Sequence, residues 1–245
     1  MKHLGILAHS VEGAALCFRA FTQEGFRRLG PLDHPDVTLD CIPLARSMAA
    51  WDAGDYRSVR VTLAVSVDRL ARAGADFFVC PDNTAHLALE EPGPDLPLPG
   101  LHVAGLVAAQ AARDGRARVG VLGTRWTMDG PLYPREFAAR GIATELPGPD
   151  DRRAVDDIIF GELQDGVLRA ASRDRYVRII AGLASRGCDA VALVCTEIPL
   201  LIPPEVSPLP TLDSARLLAH SALDVALGAA PLPSWRGGPL ATSPG

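Results

Sequence analysis

The sequence predicts an α/β protein made of two pseudo-symmetric, doubly wound domains, each built on a parallel sheet. Three observations predict this class. Of the 245 residues, 48% are apolar and only 5% aromatic; short apolar runs alternate with longer helical patterns; and one stretch of the chain recurs later. Strands that alternate with helices favour parallel sheets covered by helices. The length is sufficient for two domains with a core each.

The repeat pairs the segment that begins at Leu70 with the segment that begins at Leu183, 113 positions later. Both copies read as a helix end, a Gly, an Asp, a short buried strand and a polar triplet. The triplets are Asp82-Asn83-Thr84 and Cys195-Thr196-Glu197. A second echo pairs residues 3–8 with 118–123 at an offset of 115. Two nearly equal offsets in the same order indicate two homologous halves.

The remaining elements follow from local pattern. Helices are predicted over 14–29, 59–72, 176–186 and 214–227. The Pro-rich segment 91–100 separates the halves. We therefore expect a first domain over 1–98 plus 211–245, with the last helix packing back on it, and a second domain over 99–210. The tail from Pro231 is expected to be poorly ordered or to pack against a neighbour.

Composition excludes several classes of function. The net charge is −5 with both signs interspersed, so no nucleic-acid partner is expected. The chain has no apolar run of the roughly 18 residues that a membrane span needs, and its N-terminal apolar run is too short for a signal peptide. We therefore expect a cytoplasmic protein whose five cysteines are thiols. The chain contains neither a C-x-x-C pair nor a His pair at helical spacing, so no metal site is expected.

The two polar triplets mark the expected active site. Ligands of open parallel sheets bind beyond the carboxyl ends of the strands, and both triplets follow predicted strands. If the halves face each other about a pseudo-dyad, Asp82 and Cys195 approach one ligand from opposite sides of a cleft. Asn83 and Thr84 then lie at a helix N-terminus, which favours a bound carboxylate.

Four segments resemble the aspartate/glutamate racemase superfamily. Residues 195–200 (CTEIPL) resemble the motif that closes the active site, and residues 81–86 (PDNTAH) resemble the first-site motif, usually P-C-N-T-A-H. Residues 119–127 resemble the strand and Thr-rich loop that hold the substrate carboxylate, and 210–213 resemble the closing strand. The resemblance extends in order from about residue 4 to about residue 227.

This resemblance implies a homodimeric racemase or epimerase that uses neither PLP nor metal, acts on a small carboxylate or amino acid, and carries two opposed cysteines. Cys195 matches the second cysteine, and Asp82 stands where the first is expected. Carried over residue by residue, Asn83, Thr84, Thr124 and Thr196 match groups that bind the α-carboxylate. Ser10, Thr127 and Glu197 are further candidate substrate-binding residues because they also lie on loops that follow predicted strands.

Three departures leave the reaction open. Asp82 replaces a cysteine, and Cys80, two residues earlier, fits a core position. The first loop contains His9 and Ser10 where relatives have a Gly-Gly-Met stretch, and Gln164 stands where some members have a lysine for the distal carboxylate. The substrate is therefore expected not to be plain aspartate. The alternatives are a single-cysteine relative (a decarboxylase or cis-trans isomerase of a small carboxylic acid), a catalytically silent small-molecule binder, and an Asp82 that only caps its helix.

Overall fold

The computed structural model describes residues 1–240. Strands and helices alternate along this part of the chain. The strands are β1 (Leu4–Ala8), β2 (Val37–Cys41), β3 (Phe77–Val79), β4 (Arg118–Leu122), β5 (Ala143–Glu145), β6 (Ala190–Leu193) and β7 (Thr211–Asp213). The α-helices are α1 (Val11–Leu29), α2 (Met48–Asp52), α3 (Tyr56–Arg72), α4 (Ala85–Leu89), α5 (Val103–Arg113), α6 (Arg125–Asp129), α7 (Leu132–Ala138), α8 (Pro149–Gly161), α9 (Ala170–Ser185), α10 (Ile198–Leu201) and α11 (Ser214–Ala226). Short 3₁₀ helices lie at Leu44–Arg46, Leu163–Asp165 and Pro204–Val206.

Two parallel sheets have the same strand order. The first runs β2-β1-β3 and the second runs β5-β4-β6-β7. In the first sheet β1 lies between β2 and β3, and in the second sheet β4 lies between β5 and β6. The fourth strand of the second sheet, β7, lies beside β6. Thus β4 corresponds to β1, β5 to β2 and β6 to β3. The predicted α/β class with parallel sheets is confirmed, and the shared order agrees with the internal repeat.

The chain divides into two compact units. The first unit consists of Met1–Val103 and the chain from Ala215, and the second consists of Ala104–Ser214. The sequence placed the boundaries after residues 98 and 210, a few residues earlier in both cases. The later boundary at Ser214 has a physical cause: β7 pairs with β6, Thr211 opposite Val191, and so belongs to the second sheet.

Each unit has its own apolar core. In the first unit α3 packs on the sheet through Val59, Leu63, Val67 and Leu70, all without exposed surface. In the second, residues of α8 and α9 pack with the strand residues Leu122, Val191 and Leu193. In the described part of the chain, no helix is long and apolar enough to cross a membrane.

The C-terminal segment corrects one expectation. Residues 235–238 pack against the rest of the first unit rather than lying loose. The Trp235 ring stacks on His86 with centroids 5.8 Å apart, and the Gly100 N–H donates to the Trp235 carbonyl at 2.7 Å. The end of the predicted tail, 241–245, lies outside the described residues.

Candidate active site

Three side chains that follow adjacent strands of the first sheet form one hydrogen-bonded chain. Asp82 lies on the loop between β3 and α4, and His9 directly follows β1. The distance from His9 Nδ1 to Asp82 Oδ2 is 2.7 Å. Ser47, on the segment after β2, places its Oγ 2.9 Å from His9 Nε2. Because β2, β1 and β3 are parallel neighbours, their carboxyl ends bring these residues to one edge of the sheet.

Asp82 also caps α4. The Ala85 N–H donates to Asp82 Oδ1 at 3.2 Å, while Oδ2 faces His9. Burial raises the pKa of Asp82, but the hydrogen bond with His9 and the charge of His9 lower it, and the net direction is downward. The capping role and the contact with His9 therefore coexist in one carboxyl group.

The other predicted residues of the first unit lie on the same loops. Ser10 caps α1 by accepting the Gly13 N–H at 3.1 Å. Asn83 is buried and Thr84 is half-buried, both directly after Asp82. The Asn83 carbonyl accepts the His86 N–H at 3.2 Å and the Thr84 carbonyl accepts the Leu87 N–H at 3.0 Å, so the loop closes into the first turn of α4.

Cys80 and His86 are buried on either side of Asp82. Burial and the charge of Asp82 raise the pKa of the Cys80 thiol well above its usual range, so Cys80 is a poor source of thiolate. The Val103 N–H donates to His86 Nε2 at 3.4 Å, and His86 Nδ1 lies 3.0 Å from the Asp82 carbonyl. These contacts define a neutral ring that donates from Nδ1. Burial and the nearby His102 lower the pKa of His86 to about 4.

The second unit places Cys195 beside a carboxylate. Cys195 lies two residues beyond β6 and is buried. Its Sγ–H donates to Glu197 Oε2 at 2.9 Å, and the Thr196 hydroxyl donates to the same oxygen at 2.9 Å. Glu197 occupies the N-cap position of α10 but its side chain makes no capping hydrogen bond there. A carboxylate that accepts a hydrogen bond from a thiol can orient it and can accept its proton.

Thr124 and Thr127 lie on the loop after β4, in the same unit as Cys195. Thr124 caps α6, and its Oγ1 lies 3.1 Å from Thr127 Oγ1. A Cβ on the preceding residue, Gly123, would lie 2.8 Å from Val194 Cγ2 and 3.1 Å from the Val194 carbonyl oxygen. The absence of a side chain at Gly123 thus allows the loop after β4 to approach the backbone that leads into Cys195.

The sequence did not predict Ser47 as part of the site, and it did not predict the contact between His9 and Asp82. Ser47 was not singled out, and His9 was considered only as a loop residue without its contact to Asp82. The signal for His9 lies in the sheet order: the end of β1 is adjacent to the end of β3. Gln164 lies exposed on the 3₁₀ helix Leu163–Asp165. Within residues 1–240, no three His, Cys, Asp or Glu side chains are grouped so as to hold a metal ion.

Comparisons with known proteins identify the family of this chain. The family model described as Asp/Glu/Hydantoin racemase matches residues 19–222. A crystal structure from Yersinia pestis, assigned to the Asp/Glu racemases, superposes with a TM-score of 0.81 at 31% identity and covers 93% of this chain and 100% of that one. The chain therefore belongs to the Asp/Glu/Hydantoin racemase family, a family of isomerases, and the predicted family is confirmed.

Two relatives with assigned activities are matched over different fractions of their length. The broad specificity amino-acid racemase RacX of Bacillus subtilis is 25% identical over 177 residues, 71% of this chain and 74% of RacX. A glutamate racemase of Ectopseudomonas mendocina is 32% identical over 154 residues, 59% of this chain and 54% of that enzyme. The match with this glutamate racemase thus spans about half of its length.

Proposed function

We propose that this chain is a cofactor-independent amino-acid racemase or epimerase that exchanges the substrate α-proton between Asp82 and Cys195, one on each face. The observation that carries the proposal is the equivalent position of the two groups. Asp82 follows β3 and Cys195 follows β6, which are corresponding strands of the two repeated sheets. Membership of a racemase family gives the reaction class.

The two groups have complementary chemistry. In one direction a Cys195 thiolate takes the α-proton: the C–H bond breaks, an S–H bond forms, and the electron pair stays on the substrate. Asp82 then supplies a proton to the opposite face, and the reverse direction exchanges the two roles. Glu197 supports this chemistry because it accepts the hydrogen bond from the Cys195 thiol and can hold the proton when the thiolate forms.

The remaining predicted residues are assigned to the substrate. Asn83, Thr84, Thr124 and Thr196 bind the α-carboxylate, and Ser10, Thr127 and Glu197 complete the binding residues. Backbone N–H groups and hydroxyls are suitable donors for a carboxylate. The protein is further proposed to act in the cytoplasm as a homodimer, without PLP. The only lysine of the chain is Lys2, and its side chain, which is about half exposed, lies 3.9 Å from Asp76.

The direct test is isotope exchange. The protein is incubated in heavy water with a panel of L- and D-amino acids, and deuterium at the α-carbon is read by NMR together with the enantiomeric ratio. A racemase incorporates deuterium and interconverts the enantiomers of at least one amino acid. Absence of both effects across the panel, with a folded protein, would contradict the proposal and favour a silent binder.

Asp82→Asn tests the role of Asp82 within this reaction. Asparagine caps a helix about as well as aspartate but carries no proton for transfer. We expect a folded variant whose turnover falls by about 10²-fold or more, the range that general acid–base groups contribute. Unchanged turnover would remove Asp82 from the mechanism and leave a single-cysteine enzyme.

A further inference from the structure

The hydrogen bonds around His9 allow its protons to be counted. The Ser47 hydroxyl has one proton and donates it to the Leu44 carbonyl at 3.1 Å. The Ser47 oxygen must then accept from His9 Nε2–H, 2.9 Å away. The other ring nitrogen, Nδ1, faces Asp82 Oδ2 at 2.7 Å. Since a neutral ring protonated at Nε2 has only a lone pair at Nδ1, this short contact requires one further proton between Nδ1 and Oδ2.

The surroundings keep this proton within the pair. The His9 side chain is 1% exposed and that of Asp82 is 14% exposed. Trp51 packs against the His9 ring with centroids 6.2 Å apart. Besides His9, the ionisable groups that interact with Asp82 include Cys80, held as a thiol, and His86, held neutral. His9 is therefore the group that can share a proton with this carboxyl.

We propose that His9 is a positioning residue that shares one proton with Asp82, so that the pair, and not the carboxyl alone, exchanges a proton with the substrate. This inference rests on the proposed role of Asp82 in racemisation. When the pair acts as an acid, the shared O–H bond breaks and a C–H bond forms with the electron pair of the substrate carbanion. After the proton has left, lone pairs on Asp82 Oδ2 and His9 Nδ1 face each other across a short contact. This arrangement favours the uptake of a proton from the next substrate.

The pair solves a difficulty that Asp82 has alone. An ordinary aspartate has a pKa near 3.9 and holds almost no proton at neutral pH, so it is a poor acid. The neighbouring His9 lowers the pKa of Asp82 further. His9, 2.7 Å from the carboxyl, can hold the proton that Asp82 alone would lose, so the two groups act as one unit.

The decisive test reads the protons directly and needs no substrate. Protein labelled with ¹⁵N in histidine is observed by NMR at neutral pH, with the His9 signals assigned by their loss in His9→Asn. Expected for the wild type are a protonated Nε2 and an Nδ1 that is protonated or shares its proton. In Asp82→Asn the Nδ1 signal should move to that of an unprotonated nitrogen. An unprotonated Nδ1 in the wild type, or a signal that Asp82→Asn leaves unchanged, would overturn the inference.

Enzyme kinetics provide a second test of the role of His9. In His9→Asn the side-chain amide keeps a donor near the position of Nδ1 but cannot give up a proton. We expect turnover to fall by about 10²-fold with little change in KM, and the pH profile of kcat/KM to lose one ionisation. His3→Asn is the matched control: His3 precedes the same strand β1 but contacts Thr38. Wild-type turnover and an unchanged pH profile in His9→Asn would contradict the inference.

The two tests separate the two proposals. If no amino acid is racemised but the NMR signals show the shared proton, the proposed function fails while the proton-sharing pair stands. If racemisation is observed and the NMR signals show no shared proton, only the role of His9 falls.

Discussion

At the scale of single residues, two cysteines that are close to the candidate site differ in their surroundings. Cys80 is buried with the carboxylate of Asp82 nearby, and its thiol pKa is raised well above the usual range. Cys195 instead donates its hydrogen bond to Glu197 Oε2, next to the Thr196 hydroxyl. A thiol that donates to a carboxylate has a path for its proton, whereas burial and the negative charge of Asp82 both disfavour a thiolate at Cys80.

This contrast gives a paired prediction. Cys195→Ser should lower turnover by at least about 10²-fold, because a serine hydroxyl is a far weaker acid than a thiol. Cys80→Ser should cost much less turnover, and its effect should appear in stability. Steady-state rates and the free energy of unfolding, measured on both variants, check this. A larger loss of turnover in Cys80→Ser, with both variants folded, would show that the first site is centred on Cys80.

His86 makes the stability of the protein depend on pH. Its folded-state pKa is lowered from 6.5 to about 4 by burial and the neighbouring His102. Between these values the unfolded chain binds a proton that the folded protein does not, so stability falls as the pH falls from about 6.5 to about 4. The loss expected from this group at pH 4.5 is about 2–3 kcal/mol.

The matched variant is His86→Gln, which retains hydrogen-bonding atoms without titrating in this range. Urea unfolding at pH 7 and pH 4.5 should show a smaller loss of stability for the variant than for the wild type. Equal losses in the two proteins would mean that His86 does not carry the effect.

At the scale of elements, helix ends were easier to predict than helix starts. Helices α1, α3 and α9 are followed within two residues by a glycine with positive φ: Gly30, Gly74 and Gly187. This is a strong sequence signal because other residues rarely adopt such a conformation. The start of α9 was placed at residue 176 but lies at Ala170. Its N-cap position, Arg169, makes no side-chain cap, and no large apolar residue of the helix precedes Tyr176, so the apolar pattern begins late.

The candidate site, like the helices, could be predicted only in part from the sequence. Asp82 and Cys195 could be proposed as candidates from sequence because each follows a buried strand in a repeated segment. The contact of His9 with Ser47 could not, because the two residues are 38 positions apart and meet only through the order of the strands. The packing of Trp235 on His86 was missed for a similar reason, since the Pro- and Gly-rich segment around Trp235 has no periodic pattern.

The close approach at Gly123 gives a prediction at this scale. Gly123→Ala should lower the free energy of unfolding by about 1–3 kcal/mol, because the new methyl group would press on Val194 and its backbone. It should also lower turnover, since Val194 directly precedes Cys195. Gly161→Ala is the control: Gly161 ends α8, and a Cβ there meets no atom within 4 Å. Chemical denaturation of both variants checks this, and an equal, small effect would show that the loop accommodates a methyl group.

At the scale of the whole molecule, the placement of basic residues bears on which substrate side chain the protein prefers. The chain has 24 basic residues, but the sequence resemblance predicts Gln164 at the position where some family members have a lysine for a second carboxylate. A dicarboxylic substrate would lose charge-assisted hydrogen bonds there. We therefore predict that the preferred substrate is an amino acid with a neutral side chain.

Substrate competition checks this preference. We expect kcat/KM for at least one neutral amino acid to exceed that for aspartate and for glutamate. Gln164→Lys should raise kcat/KM for aspartate relative to the neutral substrate if this position faces the side chain. A wild-type enzyme that prefers aspartate to every neutral amino acid tested would refute the prediction.

The discontinuous first unit has a consequence for biosynthesis. Its two pieces meet where the Lys2 N–H donates to the Ala226 carbonyl at 2.8 Å, while the second unit occupies one unbroken segment between them. The ribosome therefore synthesises the whole second unit, Ala104–Ser214, before it synthesises α11, the helix that belongs to the first unit. The unit with Cys195 can fold during translation, whereas the unit with Asp82 is complete only after α11 has left the exit tunnel.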